Sequence, residues 1–376
     1  MTTLQDILDE QYAAGRVPGA VALVTRGGET ELARVGERSI GGPPMTSDSL
    51  FRIASITKPI VAAATMVLVE RDVLGLDDAV DELLPELAEP MVLRDAGGSL
   101  DDVVPADRAI TVRDLLTLRG GHGFTADVQT PLARALQERL HQGAPRPRLL
   151  PAPDEWMARL GELPLVHQPG EGWTYNVGSD ILGVLLARAS KASLGELLKE
   201  AIFEPLGMGA TGFWTDEVER LTSYYERGQN GFELVDPPDG QWSSPPPFES
   251  GAGGLVSTAG DWGTFARMLL DGGGRVLSPE SVRLMMTNHV EDEPDNPFLA
   301  GQGWGFGGGV DVRPTDPWNV PGRYGWVGGT GTAGYVIPSS GTAVVWMSQV
   351  ELSGSEGMIA IAEVLTYAAK SGEGTD

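Results

Sequence analysis

The tetrad Ser55-Ile56-Thr57-Lys58 places an alcohol three residues before an amine, where an apolar stretch begins. Positions three apart on a helix share one face, so the hydroxyl and the ammonium can meet. A serine alcohol is a poor nucleophile at neutral pH and needs a base beside it. A lysine can serve where burial or a second cation lowers its pKa. The tetrad therefore predicts acyl transfer by a serine nucleophile that does not use histidine.

A second candidate segment runs from Pro169 to Val177 and contains a Pro-Gly turn, Trp173 and Tyr175. A helix is predicted to begin near Gly178, which places Tyr175 at a loop-to-helix junction. A tyrosine hydroxyl beside a lysine ammonium can be held partly as phenolate and accept a proton. Packing in the core is the ordinary alternative for this aromatic residue.

A third segment, from Tyr324 to Thr332, is rich in glycine and precedes a predicted strand. Glycines along a strand allow a substrate to lie against bare backbone. A backbone N–H near Gly329, paired with that of Ser55, would form an oxyanion hole for a tetrahedral intermediate. Without the other two segments, a simple glycine-rich turn is an equal interpretation.

Composition restricts the partners. The 376 residues carry a net charge of −25, and such a surface repels nucleic acid and anionic lipid. The absence of cysteine excludes disulfides, thiolate zinc sites and a thiol nucleophile. The four histidines are scattered, so we expect no metal site and no cofactor. From the acyl-transfer chemistry of the tetrad we expect a small-molecule ester or amide as the substrate.

No stretch approaches the roughly 20 apolar residues of a membrane span. With no apparent signal peptide, a cytoplasmic location is expected. The oligomeric state is left open.

The pattern of apolar residues and turn signals predicts an α+β fold. Strands at both ends of the chain, with helices between them, indicate one sheet assembled from the two termini. We predict a discontinuous α/β subdomain of residues 1–75 and 241–376, and a mainly helical subdomain of residues 76–240, in one catalytic unit. Strands are predicted at 20–25, 30–35, 334–337 and 343–347. Helices are predicted at 4–14, from the tetrad to near Gly75, and at 112–118, 154–160, 180–189, 194–203, 261–270, 279–286 and 358–369.

Taken in order, the three segments resemble the serine β-lactamase and penicillin-binding-protein superfamily. The resemblance is closest to its class C-like branch, and within it to family VIII carboxylesterases. Residues 110–117, 205–208 and 253–258 share the likeness, which extends over nearly the whole chain. It implies an α/β/α sandwich around an antiparallel sheet, plus an inserted mainly helical subdomain, with the site in the cleft between them.

The resemblance also implies roles for individual residues. Ser55 would be the nucleophile, Lys58 its partner, and Tyr175 the base that activates Ser55 and later protonates the leaving group. Trp326 and Gly328 lie where many relatives carry a Lys- or His-centred triplet. Gly329 would then offer the second oxyanion donor.

Two departures from the β-lactamase pattern bear on the substrate. Val177 stands where the tyrosine motif of β-lactamases ends in asparagine, and Asn176 comes one place early. The third segment lacks the lysine that binds a substrate carboxylate in β-lactamases and transpeptidases, and strand alternation does not fix the direction of the nearby Arg323. Both departures favour a carboxylesterase acting on small esters through an acyl-enzyme. The alternatives are a β-lactamase or D-alanyl-D-alanine peptidase, and a catalytically idle binding protein on the same scaffold.

Other signals carry less weight. The glycine patterns at 303–308 and 329–334 do not lie between a strand and a helix, so a nucleotide site is not expected. His122 is interpreted as a packing residue in preference to a substrate contact. The acidic run at 291–295 lacks the spacing of a calcium loop and is expected to be solvated.

Overall fold

The structure is a computed structural model that describes residues 2–125, 127–290, 296, 298–299 and 301–370, with backbone alone for 354–356. The acidic run at 291–295 lies outside the described residues. The helices α1 to α11 span Leu4–Ala13, Lys58–Glu70, Val112–Leu116, Pro131–Leu140, Pro153–Gly161, Val177–Ser190, Leu194–Leu198, Glu204–Leu206, Ala259–Leu270, Pro279–Met285 and Gly354–Lys370. The strands β1 to β13 span Gly19–Arg26, Glu29–Gly36, Phe51–Arg52, Met91–Leu93, Val103–Pro105, Tyr224–Gly228, Gly231–Asp236, Val256–Ser257, Gly303–Trp304, Gly309–Val310, Tyr324–Gly328, Thr332–Ile337 and Thr342–Ser348.

Seven strands form one antiparallel sheet in the order β2-β1-β13-β12-β11-β10-β9. The two ends of the chain meet where β1 pairs with β13, with Ala20 opposite Ser348 and Arg26 opposite Thr342. Antiparallel neighbours can be joined by short turns, which explains the tight β1–β2 and β12–β13 connections. The prediction of one sheet built from both termini is confirmed.

Successive residues of β1 point to opposite faces of the sheet, and both faces are covered. Val21 and Leu23 pack in a large core with residues of α2 and α9. Ala22 and Val24 pack in a second core with residues of α1 and α11, including Ile361. Helices therefore lie on both sides of the sheet, and the predicted α/β/α sandwich is confirmed.

Residues 76–240 contain α3 to α8 together with two small hairpins, β4–β5 and β6–β7. The predicted helix from the tetrad to near Gly75 is too long, because α2 ends at Glu70 and Asp72 takes a left-handed φ of 56°. The predicted helix 194–203 is α-helical only to Leu198 and continues as one π-helical turn, Lys199–Phe203. Helix α4 was not predicted, although Thr130 caps it and Pro131 occupies its first turn.

Candidate active site

The backbone before Ser55 is held in a strained conformation. Ser55 lies in a 3-10 turn, Ala54–Thr57, immediately before α2, and Ala54 has a positive φ of 45°. Such a φ is uncommon for a residue with a Cβ and persists only where the surroundings impose it. The hydroxyl of Thr332 supplies one restraint, donating to the Ile53 carbonyl at 2.8 Å. The hydroxyl of Thr330 donates to the Arg52 carbonyl in the same way. The two residues that precede Ala54 are therefore fixed to the turn between β11 and β12.

Two adjacent glycines at the end of β11 differ in what surrounds them. A Cβ on Gly328 would lie 2.1 Å from Thr332 Oγ1 and 2.4 Å from the Ile53 carbonyl oxygen, so this glycine allows the strand to approach the nucleophile segment. A Cβ on Gly329 would meet nothing within 4 Å, and Gly329 lines the main cavity. Of the two glycines predicted to contact substrate, Gly329 borders the cavity, whereas Gly328 is buried and does not line it.

Lys58 and Ser55 meet as the tetrad predicts. Lys58 Nζ lies 3.0 Å from Ser55 Oγ, 2.9 Å from Asn176 Oδ1 and 2.7 Å from the Ala252 carbonyl oxygen. The side chain is buried, with 1% of the residue exposed. Burial lowers the pKa of Lys58 to about 7, against an opposing effect of the Asp180 charge. Both the protonated and the neutral amine are therefore accessible near neutral pH.

Tyr175 lies on the other side of the lysine, with its ring centroid 4.7 Å from Lys58 Nζ. Its backbone exchanges two hydrogen bonds with Phe124, which fixes the loop before α6. The indole Nε1 of Trp326 donates to the phenolic oxygen at 2.7 Å. Burial raises the pKa of Tyr175, although hydrogen bonds with Ser55 and Trp326 lower it in part. This direction is opposite to the expected partial phenolate, because loss of water outweighs the hydrogen bonds.

Asn176 reaches Lys58 through a rare turn. Its φ of 82° and ψ of −66°, with the Val177 N–H donating to the Tyr175 carbonyl at 3.2 Å, define a classic γ-turn, which is rare and strained. Val177 is the first residue of α6 and is completely buried. Asparagine therefore contacts the lysine even though it stands one place earlier than in the β-lactamase motif. The sequence departure at Val177 does not remove that contact.

Sequence reasoning missed two buried polar residues that bond to the residues around the lysine. Asp180, on α6, accepts hydrogen bonds from Ser250 Oγ at 2.6 Å, the Ala252 N–H at 3.0 Å and Gln142 Nε2 at 2.9 Å. Burial raises the pKa of Asp180, and these hydrogen bonds and Lys58 lower it in part. Asp180 is the lone charged residue in the apolar stretch 177–186, and that was the available signal. Gln142 follows the end of α4 and has no comparable signal.

The site opens into a cavity of about 670 Å³ that borders Ser55, Tyr175 and Asn176. Much of its wall is apolar, with side chains of Phe124, Val128, Leu150, Phe298, Trp318 and Trp326. Cavities of this size and character take small, mostly apolar ligands.

Two other residues considered from sequence, Arg323 and His122, are held by contacts within the protein. Arg323 borders the same cavity, but its guanidinium is buried against Asp311, with Nε 2.9 Å from a carboxylate oxygen, and lies over the Tyr335 ring. It is therefore paired within the protein. His122 is 3% exposed, its Nε2 lies 3.2 Å from the Leu163 carbonyl oxygen, and burial lowers its pKa to about 4. It is a packed interior residue, as the sequence predicted.

Within the described part of the chain, no group of His, Asp and Glu side chains is arranged to hold a metal ion. Over the same residues, none of the helices has the length and apolar character needed to cross a bilayer.

Comparison with known proteins gives consistent results. A family model described as Beta-lactamase matches residues 4–368. The chain is 40% identical to "Protein Rv1367c" of Mycobacterium tuberculosis, over 92% of this chain and 89% of that protein. It is 30% identical to "Esterase EstB" of Burkholderia gladioli, over 96% of this chain and 93% of that protein. Among solved structures it is similar to "EstCE1, a hydrolase with promiscuous acyltransferase activity", with a TM-score of 0.79, 24% identity and 97% of each chain covered. The last similarity concerns the fold.

Proposed function

This chain belongs to the beta-lactamase family, a family of serine hydrolases and acyltransferases. We propose that it is a carboxylesterase that hydrolyses small esters through an acyl-enzyme at Ser55. The observation that carries the proposal is the contact of 3.0 Å between Ser55 Oγ and a buried Lys58 amine. Its pKa of about 7 makes that amine an available base at neutral pH.

Acylation begins with the neutral form of Lys58. The amine takes the hydroxyl proton of Ser55 while Oγ bonds to the ester carbonyl carbon and the carbonyl π electrons move to oxygen. The resulting oxyanion is stabilised by the N–H groups of Ser55 and Gly329. Ser55 is the second residue of a helical turn, where N–H groups lack intrahelical acceptors. The open space around Gly329 supports its place beside the substrate.

Collapse of the intermediate breaks the bond to the alkoxy oxygen, which needs a proton. Tyr175 donates its phenolic proton to that oxygen, so the alcohol leaves with the tyrosine proton. The proton first taken from Ser55 then passes from the Lys58 ammonium to the phenolate, which restores Tyr175 and the neutral amine. The raised pKa of Tyr175 keeps the phenol protonated near neutral pH, which supports the leaving-group protonation expected from sequence and does not support the activating-base role. Water then attacks the acyl carbon with the same groups acting in reverse order.

The surroundings of Trp326 favour a neutral ester over an anionic β-lactam or peptide carboxylate. A neutral indole occupies the motif position that carries a cation in many relatives, and its N–H is already donated to Tyr175. Arg323 is paired with Asp311. Without a free cation at this position, charge-assisted binding of a substrate carboxylate is weak. The apolar cavity wall suits the uncharged acyl or alcohol part of an ester.

The test compares Ser55→Ala with Ser99→Ala, a control at an exposed serine far along the chain from the motifs. Ser55→Ala should abolish turnover of p-nitrophenyl butyrate, whereas Ser99→Ala should keep it. Nitrocefin turnover, measured alongside, should be much slower than ester turnover, and the reverse ranking would favour the β-lactamase alternative. Intact-mass measurement after treatment with a fluorophosphonate should show one adduct, lost in Ser55→Ala. If the mass of the wild-type protein does not change after this treatment, the result would favour the catalytically idle binding protein.

A further inference from the structure

The lysine and four residues around it form a closed circuit of hydrogen bonds. Lys58 Nζ donates to Asn176 Oδ1 at 2.9 Å, and Asn176 Nδ2 donates to Gln142 Oε1 at 2.8 Å. Gln142 Nε2 donates to Asp180 Oδ2 at 2.9 Å, and the Ala252 N–H donates to Asp180 Oδ1 at 3.0 Å. The carbonyl of Ala252 accepts from Lys58 Nζ at 2.7 Å, which closes the circuit. Lys58, Gln142, Asp180 and Ala252 are buried, and Asn176 is half-buried at the cavity wall.

The direction of each bond in this circuit is set at Asp180. When Asp180 is ionised it only accepts hydrogen bonds, and it receives donors from Ser250 Oγ and the Ala252 N–H, both of which stabilise the charged form. Gln142 must therefore turn its NH₂ group toward Asp180, which leaves its carbonyl facing Asn176. Asn176 must in turn present its NH₂ group to Gln142, and only then does Asn176 Oδ1 face the lysine. Two amides that could each be flipped are thus fixed by one carboxylate.

The orientation of Asn176 decides what the lysine offers to Ser55. In the neutral amine, two N–H groups are taken by Asn176 Oδ1 and the Ala252 carbonyl. The remaining tetrahedral direction, which holds the lone pair, then points to Ser55 Oγ at 3.0 Å. If Asn176 were flipped, its NH₂ group would donate to that lone pair and withdraw it from Ser55.

We propose that Asp180, acting through Gln142, fixes the amide orientation of Asn176 and thereby directs the Lys58 lone pair toward Ser55. Asp180 and Gln142 are positioning residues, because neither contacts the lysine. They act on it only through Asn176 and Ala252. The catalytic meaning of this arrangement rests on the proposed function. The effect of the circuit on the orientation of the Lys58 amine does not rest on the proposed function, and it can be measured without a substrate. The charged group that acts on Lys58 is Asp180, and Tyr175 is the other titratable side chain in contact with it among the described residues.

The first experiment follows the Lys58 amine directly by NMR of the protein labelled with ¹³C-lysine. The chain has four lysines, Lys58, Lys191, Lys199 and Lys370, so Lys58→Met identifies the signal of interest. Asp180→Asn keeps the shape but adds a donor, which lets Gln142 and Asn176 flip. The Lys58 titration midpoint should fall by about one pH unit, because the nearby negative charge is lost and a donor faces the amine. An unchanged midpoint in folded Asp180→Asn protein would overturn the proposal.

The second experiment reverses the circuit. In Asp180→Asn combined with Asn176→Asp, the new carboxylate faces Lys58 and accepts from the flipped Gln142, so the pairing of donors and acceptors is restored. The Lys58 midpoint should return to the wild-type value or rise above it. A midpoint in the double variant no higher than in Asp180→Asn would contradict the reversal.

The third measurement connects orientation to chemistry. Single-turnover acylation by p-nitrophenyl butyrate, measured for each protein at a pH above its own Lys58 midpoint, should fall about 10²-fold in Asp180→Asn, the size of a general-base contribution, and recover in the double variant by at least about tenfold. Gln142→Met should lower the rate in the same direction, whereas Gln129→Met, at an exposed glutamine, should not. Equal rates in Gln142→Met and Gln129→Met would remove Gln142 from the proposal. Absence of acylation in the wild type would contradict the proposed function and leave the NMR outcome to decide the orientation.

Discussion

The indole nitrogen of Trp326 and the phenolic oxygen of Tyr175 are joined by a hydrogen bond of 2.7 Å, which the indole donates. A donor at that oxygen stabilises the phenolate, so the contact makes the buried phenol a better acid than burial alone would leave it. The same indole stacks edge-on against Trp304, with ring centroids 4.7 Å apart. Trp326 therefore adjusts the acidity of Tyr175.

Trp326→Phe should reduce hydrolysis most for esters of poor leaving groups. The variant keeps an aromatic ring but loses the N–H, so Tyr175 becomes a weaker acid. For an ethyl ester, kcat/KM should fall about tenfold, equivalent to about 1.4 kcal/mol, the scale of one hydrogen bond. The p-nitrophenyl ester should change little, because p-nitrophenolate leaves without a proton. Trp214→Phe, at an exposed tryptophan, is the control. Equal losses on both esters would argue against the acid role of Tyr175.

Acylation should depend on pH through the lysine. Burial lowers the pKa of Lys58 to about 7, and the reaction needs the neutral amine. Below that pH the amine is protonated and has no lone pair to accept the Ser55 proton. Hence kcat/KM for p-nitrophenyl butyrate should rise with pH through about 7 and level off above about 8. A pH profile that falls across the same interval would contradict Lys58 as the base.

Two neighbouring glycines provide a matched pair of variants. Gly328→Ala puts a methyl group against the Ile53 carbonyl and Thr332, so the strand must move away from the nucleophile segment. The free energy of unfolding should drop by about 1–3 kcal/mol, as for other overpacked sites, and activity should drop with it. Gly329→Ala meets open space and should leave stability within about 0.5 kcal/mol. Denaturant unfolding of both proteins tests this, and similar destabilisation of the two would refute the packing argument.

The local conformation at Asn176 separates strain from function. Asn176→Gly removes the amide and relieves the positive φ, whereas Asn176→Ala removes the amide and keeps a Cβ in the strained region. Both variants should lose most esterase activity. The glycine variant should be more stable than the alanine variant by about 1 kcal/mol, measured by denaturant unfolding. An alanine variant as stable as the glycine variant would show that the γ-turn holds little strain.

The sequence predicted the parts of the site that depend on local spacing. Ser55 and Lys58 are about one helical turn apart, and Tyr175 follows a Pro-Gly turn, so their positions could be derived from short segments. Four of the seven strands of the sheet, β1, β2, β12 and β13, were predicted for a similar reason, since they alternate or are continuously apolar and surround clear turns. The β1–β2 and β12–β13 pairings then follow from the strong tendency of adjacent strands to form hairpins. The short strands β9 and β10 and the glycine-rich β11 were not predicted as strands.

The rest depended on tertiary contacts that no local pattern encodes. Asn176 was interpreted as misplaced because a γ-turn, which redirects its side chain, has no sequence signature in a non-glycine residue. Gln142 reaches the site only because the segment after α4 lies against α6. The protonation of Tyr175 was predicted in the wrong direction because burial, which dominates its pKa, is a property of the folded protein.

The lysine obtains its partners from Ser55, Asn176 and Ala252, stretches of chain separated by more than a hundred residues and then by dozens more. Before these stretches assemble, Ser55 is an ordinary alcohol beside a fully charged amine in water. The chain therefore stays chemically inert during synthesis and partial folding. Reactivity toward a fluorophosphonate will accordingly report that the whole molecule has folded. An N-terminal fragment that contains Ser55 and Lys58 but lacks Asn176 and Ala252 will not be acylated.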